Sequence, residues 1–179
     1  MTGGKGLAIL GHSIFSNNGL GTVIEIDADL STTDGVNPND LGDGDTGGNG
    51  LQNFPVLTSA TASNGNITLS GTLNSIPKTT FRVEFFDNTA LDPSGNGEGQ
   101  TYLNFVNVTT DAAGNANFTS LPLTATGAIV TTATNLTTND TSEFSQSSPG
   151  LLQFRALLKQ GMISSKRNLQ KQLTKNLNL

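Results

Sequence analysis

Thr80–Asp87 reads TFRVEFFD, an alternation that belongs to a β-strand. Phe81, Val83 and Phe85 fall on one face, and Arg82, Glu84 and Phe86 on the other. A period of two places alternate side chains on opposite sides of a sheet. Neighbouring stretches carry the same pattern. FPVLTSAT (54–61) and NITLSGTL (66–73) are separated by ASNG, a turn that favours positive φ at Asn and Gly and so folds a hairpin. TYLNFVNVTT (101–110), NANFTSL (115–121), GAIVTTAT (127–134) and TSEFS (141–145) follow, with polar loops between them. Seven short strands, rich in Thr, Val, Ile and Phe, predict a two-sheet antiparallel sandwich of immunoglobulin-like size over residues 53–146.

Outside this span the texture changes. GLAILGHSIFSNNGLGTVIEI (6–26) sets clusters of two or three apolar residues between Gly, Ser and Asn corners. Short strands with sharp corners suit the coils of a parallel β-helix, so residues 1–30 are expected to form terminal β-helix coils. A coil or two cannot bury its own stacking face, so the block reads as the end of a longer solenoid and the chain as a fragment. Residues 31–52 are nearly devoid of apolar side chains and rich in Gly and Asp, the composition of a linker. Residues 147–179 place Leu151, Phe154, Leu158 and Met162, then Leu169, Leu173 and Leu177, at helical spacing. Gly161 and Ser164 divide this tail into two helices, with Ser164 a suitable N-cap. The fold class expected is all-β, with terminal β-helix coils, a seven-stranded sandwich and a short helical tail.

Charge and composition exclude several functions. All 14 acidic residues lie in 1–146 beside only Lys5, Lys78 and Arg82. Phosphate backbones need clustered Lys and Arg, so this acidic body is not a nucleic-acid module. The tail carries six basic residues and no acid, a pattern able to contact anionic membrane. The chain has no cysteine, which removes disulfides and thiolate zinc sites. A single histidine, His12, leaves a Ser-His-Asp triad no alternative base and rules out a multi-histidine centre. No stretch reaches the roughly 20 apolar residues of a membrane-spanning helix, and no signal peptide is visible.

The chemistry-bearing stretch is NDLGDGDTGGNGLQNFP (39–55). Asp43 and Asp45 stand at alternate positions, with Asp40 and Asn49 near enough to complete an oxygen shell for Ca²⁺. Asp34 and Asn37 lie just upstream. The order differs from an EF-hand loop, having no terminal bidentate Glu. Asp and Asn in such a stretch also hydrogen-bond their own backbone in turns. Asp111 with Asn115 is a hairpin turn by the same reasoning. Asp92 and Glu98 sit in a Gly-rich loop that would not hold a catalytic separation. Phe86 and Tyr102 are the aromatic candidates for stacking on sugar.

AILGHSIFSNNGLG (8–21), DGVNPND (34–40), GDTGGNGLQNFPVL (44–57), GTLNSIPKTTFRVEFFDN (71–88), DPSGNGEGQTYL (92–103), VTTDAAGNANF (108–118) and NDTSEFS (139–145) form a distinctive series. In that order they resemble the C-terminal region of large bacterial right-handed parallel β-helix surface proteins of the CSLREA type. The resemblance runs from Gly6 to Ser145. TVIEIDADLST (22–32) and the basic tail depart from it. It implies an extracellular or outer cell-surface location as part of a longer exported chain. It also implies a non-enzymatic structural or adhesive module that caps a β-helix, with a surface glycan or another surface protein as partner. The alternative is a glycan-binding accessory region of a polysaccharide-active β-helix protein.

Overall fold

The structure, a computed structural model, describes residues 4–16, 24, 26, 36–90, 95–147, 165–168 and 170–172. Among the described residues, six strands form two antiparallel sheets. β1 (Val56–Ser63), β2 (Asn66–Asn74) and β5 (Asn115–Thr119) form one sheet in the order β1-β2-β5. β3 (Thr80–Asn88), β4 (Thr101–Thr109) and β6 (Ala128–Asn135) form the other in the order β4-β3-β6. The β1–β2 hairpin closes on Asn64 and Gly65, whose φ values of 51° and 80° are those of the expected primed turn.

The alternation in TFRVEFFD is realised. Phe81, Val83 and Phe85 are fully buried between the sheets. Phe85 meets Phe118 of β5 edge-to-face at 6.0 Å, and Leu73, Phe81 and Ala133 join Val108 beside it. Gly71 permits the tight fit, since a Cβ there would lie 2.4 Å from the Phe118 ring.

The opposite face of β3 is also covered. Phe86 packs with Ile24, Ile26, Val130 and Phe144, against which Ile9, Ile14, Leu51 and Tyr102 rest. Every residue of β6 is buried. A second layer of side chains thus lies outside the β4-β3-β6 sheet, supplied mainly by the N-terminal residues and the segment after β6.

Three expectations change. Residues 141–145 are not a regular seventh strand. They run beside β6, with Ser142 and Ser145 donating backbone N–H bonds to Ala133 and Thr131. The hydroxyls of Ser142 and Ser145 accept from those same two residues where backbone carbonyls would serve in a ladder. Among the described residues there is no parallel β-helix coil. Residues 4–16 form an arm that bonds largely to side chains of the body, with Ile14 bridging antiparallel to Gly99 and Gly4 accepting from the Asn49 N–H, rather than pairing with a stacked parallel strand. The linker expected over residues 31–52 is, over its described residues 36–52, packed into the body, with Asp43, Asn49 and Gln52 buried.

Residues 150–179 form a separate compact unit. Within it, residues 165–168 and 170–172 are helical, as the spacing predicts for its second half. The expected first helix lies outside the described residues. No helix among the described residues is long and apolar enough to cross a membrane.

Candidate metal centre

Asp40, Asp43 and Asp45 each place a carboxylate oxygen within 4.8 Å of the other two. The chain achieves this by curling at Gly42 and Asp43, whose φ values are 80° and 57°. Asx residues and Gly visit this left-handed region at low cost. Asn53 then fixes the loop from outside: its Oδ1 accepts from the Asp40 N–H at 3.0 Å, and its Nδ2 donates to the carbonyls of Asp40 and Asn74. The amide of Gly42 donates to Asn74 Oδ1.

The three carboxylates are not equivalent. Asp43 is 8% exposed and both its oxygens are engaged. Its Oδ1 accepts from the Asn53 N–H at 2.8 Å and its Oδ2 from the Ser75 hydroxyl at 2.6 Å. Asp40 Oδ2 accepts from the Gly44 N–H at 3.1 Å. Asp40 Oδ1 and Asp45 Oδ1 are buried without a hydrogen-bond partner. Burial pushes the Asp43 carboxyl above its ordinary value, against the hydrogen bonds from Ser75 and Asn53, while Asp45 and Asp40 push the same way. Burial, and then repulsion from Asp40, raises Asp45 likewise. Three mutually repelling carboxylates with two unsatisfied buried oxygens could hold a metal ion.

This electrostatic cost is testable without an ion. A raised carboxyl pKa in the folded state penalises folding at pH above that pKa. The penalty fades as pH falls through it and is gone below the ordinary value of 3.8. In chelator at neutral pH, Asp45→Asn is therefore expected to raise the melting temperature by about 1–2 °C. The difference from wild type should disappear on acidification, as followed by melts across pH.

Asn49, expected as the fourth ligand, is committed elsewhere. Its Oδ1 accepts from the Leu7 N–H, and its Nδ2 donates to the carbonyls of Leu7 and Thr141. Asn49, Asp43 and Asp45 nonetheless border one depression of about 360 Å³, shared with Lys5 and Asp140. Asn37 donates its N–H to Glu143 at 2.6 Å, and Asp34 lies outside the described residues.

Other candidates prove structural in their contacts. Asp111 Oδ1 accepts from the amides of Ala113 and Asn115, the expected hairpin turn. Glu98 accepts from the Ser16 N–H, and Asp92 lies outside the described residues. Phe86 is 2% exposed, and Tyr102 packs edge-on against it at 5.8 Å. His12 is exposed on the arm.

What the sequence did not reveal is a row of acceptors under the arm. Gly6, Leu7, Ile9, Gly11 and Ser16 donate their backbone N–H groups to Asp140, Asn49, Thr141, Glu84 and Glu98, at 2.7–3.0 Å. Glu84 is fully buried and also accepts from Arg82 Nε at 2.7 Å. Arg82 in turn lies 3.6 Å over the Phe105 ring and donates to the Tyr102 hydroxyl. A polar pair on the same strand face was the one readable signal for this row; the acceptors from distant segments left none.

No family profile and no curated protein sequence matches the chain.

Proposed function

We propose that this chain is a non-enzymatic structural module of a bacterial cell-surface or extracellular protein, its sandwich closing the end of a β-helix. The reading rests on the sequence resemblance and on one structural observation, the use to which the acidic residues are put. Asp140, Glu84, Glu98 and Glu143 each accept a backbone amide from the segments laid over the sheet. Carboxylates held in this way fasten polypeptide rather than meet substrate. An open solenoid end exposes unpaired strand edges, and a cap that shields them has a physical purpose. The glycan-binding alternative draws less support, because Phe86 lies inside the outer layer rather than on a face open to sugar.

In this reading the ion at Asp40, Asp43 and Asp45 is Ca²⁺, which favours multiple carboxylate oxygens in an irregular shell. It neutralises the repulsion in the loop and fixes its three carboxylates against one another. The test is a thermal melt in 1 mM Ca²⁺, in 1 mM Mg²⁺ and in chelator. A site with Kd of about 10⁻⁴ M adds about 1.4 kcal/mol at that concentration. That corresponds to a rise of about 3–6 °C. The rise should be specific to Ca²⁺ and absent from Asp40→Ala and Asp45→Ala. Superimposable wild-type melts would remove calcium from the proposal.

A further inference from the structure

Capping a solenoid leaves the C-terminal tail without a task. Residues 147–179 hold six of the chain's nine Lys and Arg residues and none of its 14 acids. They lie almost wholly in the separate unit Gly150–Leu179. Where that unit is described, over residues 165–168 and 170–172, it is helical, and every described residue is exposed. Lys166, Arg167 and Lys171 are among them.

In a helix of 3.6 residues per turn, positions four apart stand one above another. Arg167, Lys171 and Lys175 make one such row, and Leu169, Leu173 and Leu177 make a second. An offset of two residues sets the rows about 200° apart, on opposite flanks of the helix. Lys166 falls beside the leucine row, where its long stem can follow an apolar surface while the ammonium reaches polar groups.

From this pattern we propose that residues 164–179 form an interfacial helix that lies on an anionic lipid bilayer. The leucine row enters the acyl boundary, and the basic side chains meet the headgroups. Charge selects lipid over a protein partner. Helices that pair with one another alternate acids and bases along their flanks to fix a register. This tail offers no acid to answer a partner's base, and two copies of it repel. A fluid surface of like anionic headgroups needs no register. The apolar positions are too sparse for a span of roughly 20 residues, so the helix lies on the bilayer rather than across it. The anchor is independent of the capping and calcium readings.

The test uses the full chain, sedimented with vesicles of equal parts phosphatidylglycerol and phosphatidylcholine, and with phosphatidylcholine vesicles. Chelator is present throughout, so that no cation bridges the acidic loop to lipid phosphate. Binding to the anionic vesicles is expected, with a gain in the helical circular dichroism signal. It should be at least about tenfold weaker on phosphatidylcholine and should weaken with salt. Each basic residue near such a surface contributes about fivefold, so Arg167→Gln with Lys171→Gln should lower partitioning by about 25-fold. Leu169→Ala with Leu173→Ala keeps the charge, yet should lower it by about tenfold. Both pairs should leave the melting of the sandwich unchanged.

Absence of binding to the anionic vesicles overturns the proposal, as does equal binding to the two kinds. An unaltered leucine variant would reduce the contact to charge alone and remove the inserted helix. Tail-dependent sedimentation without lipid would replace the bilayer by the acidic body of a second copy.

Discussion

Phe85→Ala is expected to destabilise the body by about 4 kcal/mol, the middle of the range for deleting a buried aromatic ring. Phe85 is fully buried on the central strand of its sheet, and its ring meets Phe118 from the opposite sheet. The substitution removes the apolar transfer term and leaves a hole between two sheets, each stiffened by its own hydrogen-bond ladder. Collapse into that hole would need β3 to move against both β4 and β6, which pair with it along its length. The void therefore persists. The melting temperature should fall by about 10–15 °C. Phe105→Ala is the control, since Phe105 is only half-buried on an edge strand, and its loss should shift the melt by no more than a third as much. Equal losses at the two positions would show that the cross-sheet contact is not the centre of the core.

The second large effect is at Asn49, where alanine is expected to cost about 3 kcal/mol. Two causes combine. Three side-chain hydrogen bonds are lost, leaving the Leu7 amide and the carbonyls of Leu7 and Thr141 short of partners. In addition, Asn49 has φ of 45°, a region that costs alanine about 1 kcal/mol more than glycine. Asn49→Gly isolates the first cause, because it removes the amide without the backbone strain. Amide hydrogen exchange supplies the specific readout. In both variants the Leu7 amide should lose protection while the amides of β3 and β6 keep theirs. Unchanged exchange at Leu7 would mean that Asn49 does not hold the arm.

The residues that made the fold legible are those whose neighbours in sequence are also their neighbours in space. The alternation of Phe81, Val83 and Phe85 and the Asn64–Gly65 turn are local signals, and both appear as read. The seventh strand was legible only in part. TSEFS does accompany β6, but serine hydroxyls take over bonds that a regular ladder gives to carbonyls, and composition does not distinguish the two. The arm was misread for a related reason. Short apolar pairs between Gly and Asn corners fit a solenoid coil, yet its backbone partners, Glu84, Glu98, Asp140 and Thr141, stand 73 to 134 residues away.

The same limit explains the metal centre. Asp40, Asp43 and Asp45 lie within six positions, so their convergence could be anticipated from spacing. Asn49 is only four positions beyond Asp45, but the 3-10 turn at Gly48–Leu51 directs its amide to Leu7. Likewise Gln52 and Ser75 meet only because the β1–β2 hairpin returns the chain to its starting level. Nothing in either residue's local sequence announces the other.

The arm has a consequence for how this chain can change over generations. It is gripped by its backbone, so most of its side chains carry little of the recognition. Leu7, Ala8 and His12 are exposed and are free to drift. Gly6 and Gly11, with φ of 81° and 63°, are not, and neither are the receivers Asp140, Asn49, Thr141 and Glu84. Descendants of this chain should therefore share scattered acids and two glycines rather than a common N-terminal motif. Kinship among them would be faint along the arm and clear only where the sandwich receives it.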